Sequence, residues 1–118
     1  MKGEYCVKRI EAIIRPGKLD EVKNALSTYG VNGLTVTQVI GCGKQKGHTQ
    51  VYRGVEYAVH LIPKVKLEIV VKDEAVDEII KIIAQEARTG EIGDGKIFVS
   101  NVENAVTIRT GAAGENAI

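Results

Sequence analysis

The sequence predicts an α+β domain in which a β-α-β unit occurs twice. Apolar residues alternate from Tyr5 to Ile14, which is typical of a strand, and recur at helical spacing from Lys18 to Tyr29. The segment Leu34–Ile40 is rich in β-branched residues and predicts a second strand. The same order of strand, helix and strand returns between Lys64 and Val102.

Residues with specific roles at the ends of elements support this division. Pro16 ends the first strand, and Gly30 stands where a left-handed glycine closes a helix. In the second unit, Asp73 is the expected N-cap of the helix and Gly90 its expected end.

The two units also match residue by residue, since Leu19-Asp20-Glu21-Val22 corresponds to Val76-Asp77-Glu78-Ile79. Two such units form the ferredoxin-like arrangement, a four-stranded antiparallel sheet with both helices on one face. The first and third strands are then neighbours at the centre of the sheet. We expect a short extra strand at Ala105–Arg109.

The sheet face without helices would carry the apolar residues Ile13, Val39 and Val70 among polar ones. A monomer would expose this face, whereas a closed ring of identical subunits would bury it in every copy. We therefore expect a homo-oligomer. A wet sheet face is the alternative.

Composition excludes several classes of protein. A chain of 118 residues that is 44% hydrophobic fits one globular domain. A formal net charge of +1 does not indicate a basic surface that would bind nucleic acid or a membrane. The N-terminus lacks the apolar core of a signal peptide, so we expect a cytoplasmic protein. Cys6 and Cys42 lie outside any CxxC pattern, and the aromatic residues of RNA-recognition strands are missing.

A long segment, residues 41–63, separates the two units where a short connection would suffice. It contains glycines, lysines, an arginine and the aromatic residue Tyr57, which we expect to be exposed. Loops of this length are usually functional or disordered. A solvated hairpin with no task is the alternative.

The segment Gly90–Lys96 satisfies the GxxxxGK part of a phosphate-binding loop. Ile97 replaces the hydroxyl residue that would bind magnesium, and the segment leads from a helix into a strand, so it is not a Walker loop. Its glycines can still form a nest of N–H groups for an anion, with Lys96 as the charge. An ordinary glycine turn is the alternative. If Gly41–Gln45 meets this segment at one sheet end, the two would form one anion pocket.

Five strings in this order resemble the PII nitrogen-regulatory signal-transduction proteins of the GlnB and GlnK type. The strings are Gly43–Thr49, Tyr52–Tyr57, Pro63–Val71, Thr89–Val99 and Ile108–Gly111. The resemblance extends from about Val7 to the C-terminus. It implies a homotrimer of ferredoxin-like subunits and a single domain, residues 1–118, with a T-loop at 41–63, a B-loop at 88–96, and a C-loop and tail at 107–118.

The resemblance also implies ligands. ATP and ADP would compete for clefts between subunits, and Mg²⁺ bound to ATP and to the Gln45 side chain would allow 2-oxoglutarate to bind. Gln45 and Lys64 would hold 2-oxoglutarate. The implied ATP/ADP-binding residues are Ile13, Thr35, Gly41, Gly43, Lys44, Gln45, Val70, Gly93, Asp94, Gly95, Lys96 and Arg109.

The implied function is that of a sensor, with at most a slow incidental ATPase activity. The T-loop, through Arg53 and Tyr57, would control an ammonium transporter or another protein of nitrogen metabolism. Contact with a membrane would be through the transporter only, and no direct contact with nucleic acid is expected. Tyr57 matches the tyrosine that some members carry as a uridylylation or adenylylation target. The alternative is a divergent PII-like adenylate sensor that answers a different metabolite.

Three positions depart from the family pattern. Val55 stands where members regulated by phosphorylation carry a serine, which excludes that switch here. Thr107 stands where many members carry an arginine, and Lys44 replaces a frequent arginine. The loss of a cation at Thr107 predicts weaker or differently balanced binding of ATP and ADP.

Overall fold

A computed structural model describes residues 6–43, 50–52, 55–57 and 60–118 of the chain. The main strands are β1 (Val7–Ile14), β2 (Thr35–Gly43), β5 (His60–Lys72) and β6 (Gly95–Asn101), and the helices are α1 (Leu19–Tyr29) and α2 (Val76–Ala87). Two short strands, β3 (Gln50–Tyr52) and β4 (Val55–Tyr57), pair with each other inside the long segment. Single 3-10 turns occupy Pro16–Lys18, Asp73–Ala75 and Gly114–Ala117.

The main sheet has four strands in the order β2-β5-β1-β6, and every neighbouring pair is antiparallel. The units β1-α1-β2 and β5-α2-β6 are the two copies of the repeat. The predicted ferredoxin-like fold is confirmed, including the central position of the first and third predicted strands, which are β1 and β5.

The core lies between the sheet and the two helices. Alternation places Ile10, Ala12 and Ile14 of β1 on this side, where they pair in register with Ile69, Leu67 and Val65 of β5. From the helices, Val22, Leu26, Ile79 and Ile83 are buried against them. Each fully buried aliphatic side chain contributes about 1.5–3 kcal/mol, so this layer supplies the main stabilisation.

The opposite face of the sheet is mixed, as the sequence predicts. Lys66 lies 3.7 Å from a carboxylate oxygen of Glu11 and 3.5 Å from one of Glu68, which forms a small ionic cluster. Val70 and Phe98 are exposed on this face of the sheet, with 37% and 52% of their area accessible. In a single chain this face therefore remains partly apolar and open.

The strands β2 and β5 are longer than predicted, because their ladder continues from Ile40 paired with Pro63 to Gly43 paired with His60. Pro63 is tolerated there since β1 ends its pairing at Val65, which leaves β5 with only one neighbour. The beginning and the end of the long segment are thus part of the sheet.

The predicted cap at Asp73 is wrong. Asp73 lies in the 3-10 turn before α2 and makes no capping bond with its side chain. Its backbone N–H donates to the carbonyl of Cys6 at 2.9 Å, and its carboxylate lies 3.9 Å from the ammonium of Lys8. The residue ties the start of the helix to the start of β1 instead.

The predicted helix end at Gly90 is also wrong. The helix α2 ends at Ala87 because Arg88 is already extended, with φ −72° and ψ 130°. Gly90, at φ 91°, lies beyond the helix and donates its N–H to the side chain of Asp94 at 2.9 Å.

The predicted extra strand at Ala105–Arg109 does not form. Only an isolated bridge joins Val106 to Ala113, and a turn closed by the Gly111 N–H on the Thr107 carbonyl at 2.8 Å interrupts the segment.

The two main helices, with 11 and 12 residues, are too short to span a bilayer. No other helix in the described part of the chain meets the length and apolarity that a membrane span requires.

Gly95 provides a test of the register between β6 and β1. Its φ is +109°, and a Cβ atom there would lie 1.7 Å from the carbonyl oxygen of Ile13. We expect Gly95→Ala to lower the free energy of unfolding by more than about 2 kcal/mol. Urea unfolding at a fixed protomer concentration measures this.

Gly33→Ala is the matched control, because a Cβ atom at Gly33 meets nothing within 4 Å. Its effect should stay within about 0.5 kcal/mol. An equal effect of the two substitutions would contradict the register described here.

Candidate functional site

The candidate site lies at the end of the sheet where β1 stops at Ile14 and β6 starts at Gly95. These two residues pair in register, and Ile14 also pairs with Val65 of β5 on its other side. The chain enters this corner through the segment from Arg88 to Lys96, which we call the glycine loop (residues 88–96). The sheet register therefore brings together the glycine loop and the returning end of the long segment.

The carboxylate of Asp94 organises the glycine loop from inside. It accepts the backbone N–H of Thr89 at 2.8 Å and that of Gly90 at 2.9 Å, and it also accepts the hydroxyl of Thr89. The Thr89 hydroxyl in turn accepts the N–H of Glu91 at 3.1 Å. Part of the expected nest of N–H groups is thus occupied by the side chain of the protein itself.

These bonds favour the ionised form of Asp94. The hydroxyl and then the N–H of Thr89, followed by the N–H of Gly90 and by Arg15, hold the pKa of the Asp94 carboxyl well below its usual range. The carboxylate is 25% exposed. Asp94 is therefore an internal anion that is negatively charged at any physiological pH.

Arg15 contacts the glycine loop from the side of β1. Its Nε lies 3.1 Å from Oδ1 of Asp94, and its Nη2 donates to the carbonyl of Ile92 at 3.0 Å. The pattern of the sequence does not indicate this residue. The strand register does, because Ile14 pairs with Gly95 and the residue that follows β1, Arg15, then falls opposite Asp94.

Lys64 joins the long segment to the glycine loop. Its ammonium donates a hydrogen bond to the carbonyl of Gly93, and its Cγ would lie 3.3 Å from a Cβ atom on Gly41. Burial, followed by the positive charge of Arg15, lowers the pKa of Lys64, while the charge of Asp94 acts in the opposite direction. Gly41, at the start of the long segment, and Gly93, in the glycine loop, thus lie on either end of the same lysine side chain.

The charges at this corner do not balance. Arg15 and Lys64 are cations, and Asp94, the carboxylate between them, is already engaged by Thr89 and Gly90. Lys96, paired in register with Ile13, and Arg88 are further exposed cations, whereas Glu91 is the one other carboxylate of the glycine loop and is exposed. An anionic ligand would complete this cluster better than a neutral one.

The residues predicted to bind nucleotide fall into two groups. Ile13, Gly41, Gly93, Asp94, Gly95 and Lys96 lie at this corner of the sheet, together with Lys64. Thr35 pairs with Glu68, and Val70 pairs with Arg9. These two positions are four and six residues further along β5 from Lys64, which corresponds to about 13 and 20 Å.

Arg109 is also remote from this corner within one chain. It lies in the exposed turn between Thr107 and Gly111. The residues that flank this segment, Asn104 and Gly114, line a pocket with Cys6 and Val7 at the opposite end of β1. One chain thus does not bring the second group to the first.

Five of the other predicted residues are described only in part or not at all. Lys44, Gln45 and Arg53 lie outside the described residues. For Gly43 and Tyr57 the backbone is described: Gly43 pairs with His60, and Tyr57 pairs with Gln50 in the short hairpin. The predicted roles of these residues remain predictions.

The fold and this corner define a small α+β domain with a cationic, glycine-rich cluster at one sheet end. The family model for Nitrogen regulatory protein P-II matches residues 7–112. The nitrogen regulatory protein P-II of Haemophilus influenzae is 58% identical over 112 residues, which cover 95% of this chain and 100% of that protein. The corresponding protein of Pasteurella multocida is 59% identical with the same coverage.

Solved structures give the same result. A structure of B. subtilis GlnK superposes with a TM-score of 0.81 at 39% identity and covers 95% of this chain and 98% of that one. A crystal structure of Arabidopsis thaliana PII bound to citrate has a TM-score of 0.80 at 40% identity, with 97% and 94% covered. The chain belongs to the P-II family. The relatives are named as regulatory proteins, not as enzymes.

Asp94 provides a test of the internal anion. The pKa of the Asp94 carboxyl is lower in the folded protein than in the unfolded chain, where it is about 4. The ionised carboxylate therefore stabilises the fold above pH 4, and this stabilisation is lost as the pH falls through the pKa of the folded protein. We expect Asp94→Asn to be less stable than the native chain by a constant amount between about pH 6 and 8. The difference should shrink progressively below about pH 4.

Urea unfolding at a series of pH values measures this difference. Glu103→Gln, which removes an exposed carboxylate from another loop, is the control and should show a smaller change with pH. A difference for Asp94→Asn that did not shrink with acid would contradict an ionised Asp94 in the loop.

Proposed function

We propose that the protein is a nitrogen-regulatory sensor that binds ATP or ADP and, with Mg-ATP, 2-oxoglutarate. One observation carries this proposal. Lys64 joins the long segment to the glycine loop at a corner that has more cations than carboxylates. Membership of the P-II family supports the assignment of this corner to ligand sensing.

The phosphates of the nucleotide would bind at the glycine loop. Gly93 and Gly95 have positive φ angles, so their backbone can approach a ligand closely, and Lys96 supplies a nearby charge. Gly41, Gly43 and Lys44 would complete the phosphate site from the base of the long segment. Asp94 would act through the shape of the loop, since its carboxylate faces Thr89 and Gly90.

A second copy of the chain would supply the rest of the nucleotide site. Thr35, Val70 and Arg109 lie away from the glycine loop in one chain, so all the implied residues can form one site only between copies. A homotrimer with three such clefts satisfies this requirement. It would also bury the mixed face of the sheet.

Lys64 would recognise 2-oxoglutarate. A carboxylate is a stronger partner for an ammonium than the carbonyl of Gly93, so the dicarboxylate would displace that carbonyl. Gln45 and the ATP phosphates would hold the magnesium ion that the ligand shares. ATP and 2-oxoglutarate would then strengthen each other's binding by linkage. One relative has been solved with citrate, which is also a carboxylate anion.

The output would come from residues 41–63 acting as a T-loop, with 88–96 as the B-loop and 107–118 as the C-loop and tail. Arg53 and Tyr57 would contact an ammonium transporter or another protein of nitrogen metabolism, and modification of Tyr57 would add charge and bulk there. The protein would act in the cytoplasm and reach a membrane only through a transporter. Any ATPase activity would be incidental.

Calorimetric titration of 2-oxoglutarate tests the proposal. We expect binding to the protein with Mg-ATP and none to the apo protein or with ADP. Lys64→Ala should weaken binding about 10- to 100-fold, because a charge-assisted bond contributes about 1.5–3 kcal/mol. Lys72→Ala, at the other end of the same strand and exposed, is the matched control and should bind normally.

Equal effects of the two lysine substitutions on 2-oxoglutarate binding would show that Lys64 does not bind this ligand. Binding of 2-oxoglutarate without nucleotide would contradict the shared metal ion. Loss of binding in Gln45→Ala is expected as well.

Thr107 favours a second candidate, a divergent adenylate sensor that answers a different metabolite. Its hydroxyl is engaged by the same chain, since it donates to the carbonyl of Ala117 at 3.4 Å, and its N–H donates to the carbonyl of Ala112 at 2.8 Å. It therefore offers no cation where many members carry arginine. Nucleotide binding without any response to 2-oxoglutarate would favour this candidate.

Thr107→Arg tests the consequence of that departure. We expect the added cation to raise the affinity for ATP by about 3- to 10-fold, more than the affinity for ADP, because ATP carries the extra phosphate charge. Thr110→Arg, exposed in the same turn, is the control. An unchanged ratio of ATP to ADP affinity would show that position 107 does not face the phosphates.

A further inference from the structure

Arg15 is fixed at two points of the glycine loop. Its Nε lies 3.1 Å from the Asp94 carboxylate and its Nη2 donates to the Ile92 carbonyl at 3.0 Å. The two contacts lie on either side of Gly93, where a Cβ atom would be 3.4 Å from the guanidinium. The side chain of Arg15 is only 34% exposed.

The bonds continue from Asp94 into the rest of the loop. Asp94 accepts the N–H groups of Thr89 and Gly90, and the Thr89 hydroxyl accepts the N–H of Glu91. Arg15 thus ties a chain of polar contacts covering residues 89–94 to the end of β1, while Lys64 of β5 contacts the same loop at one carbonyl, that of Gly93.

Apart from these contacts and the bond from Lys64 to the Gly93 carbonyl, the loop has little apolar support. Ile92 is 71% exposed, so the loop has no apolar anchor of its own at that position. Gly90 and Gly93 have φ angles of 91° and 102°, a region that glycine enters without strain and leaves as easily. A loop of this kind loses conformational entropy whenever a ligand orders it, unless the protein has ordered it beforehand.

We propose that Arg15 is a positioning residue, which holds the glycine loop through Asp94 and the Ile92 carbonyl in the shape that receives phosphate. It acts on affinity by ordering the loop in advance, without contacting the phosphate itself. The identity of the ligand rests on the proposed function, whereas the ordering of the loop does not.

The planar guanidinium is necessary for this role. Its Nε and Nη2 point to two different acceptors at once, which a lysine ammonium at the same position does not reproduce. Arg15→Lys keeps the charge and removes the fork. The substitution therefore separates positioning of the loop from simple attraction between Arg15 and an anionic ligand.

The first measurement is made on the ligand-free protein. Backbone NMR order parameters of residues 89–94 should fall from about 0.85 to below about 0.6 in both Arg15→Lys and Arg15→Gln. The amides of β1 and β5 should not change, which shows that the variants are folded. Arg9→Lys is the matched control, because Arg9 lies on β1, the strand that Arg15 follows, and forms an ion pair with Glu11 at 3.5 Å.

The second measurement is ATP affinity by calorimetry. Arg15→Lys and Arg15→Gln should each lose about 10-fold, and Arg9→Lys should lose nothing. Combining Arg15→Gln with Asp94→Asn should cause little more loss than the larger single substitution, because both residues act through the same contact.

Three results would each contradict the proposed role of Arg15. Unchanged order in the loop overturns it, and so does native affinity in Arg15→Lys combined with a loss in Arg15→Gln, which would show attraction by charge alone. Additive losses in the double variant also overturn it. If the native protein binds no ATP, the proposed function fails, and the order parameters alone decide whether Arg15 positions the loop.

Discussion

The close approach of Gly95 to the carbonyl of Ile13 is the constraint on which the candidate site depends. It sets the register of β6 on β1, and β1 in turn sets the register of β5. Because β1 lies between the other two strands, one alignment decides which loops meet at its end. A shift by one residue would turn the apolar row of β6 away from the core and separate Arg15 from Asp94.

Electrostatics at this corner follow from that alignment. The carboxylate of Asp94 is enclosed by Thr89 and Gly90, so it neutralises the loop's own dipoles and leaves the two cations Arg15 and Lys64 only partly compensated. Burial is the largest cause of the lowered pKa of Lys64, and the charge of Arg15 adds the effect of this imbalance. An anion that pairs with Lys64 would relieve it, while the internal bonds of the loop would remain.

The sequence predicts the repeated fold well because each strand and helix has its own local pattern of apolar residues. Alternation identifies Ile10, Ala12 and Ile14 as core residues, and helical spacing identifies Val22 and Leu26. The meeting of the two loops is also predictable, since the central position of β1 and β5 follows from the repeat.

Two of the contacts that the sequence did not indicate join residues that are distant in the chain. Asp73 does not cap α2, and its N–H bonds the carbonyl of Cys6. Arg15, which the sequence did not indicate, contacts Asp94 from the end of β1. Composition and residue spacing do not predict such contacts, because these contacts depend on how the strands are aligned in the sheet.

The position of Lys64 explains why this architecture suits a sensor. The residue lies on β5 where the long segment returns, and its ammonium reaches the Gly93 carbonyl in the glycine loop. Whatever binds Lys64 therefore acts on both segments in one step, with no need for a change in the core. The sheet beneath, held by buried aliphatic residues, stays rigid while its polar corner exchanges partners. A ligand that bound Lys64, as proposed, would thus act at the base of the long segment, which is the coupling that a regulatory protein requires.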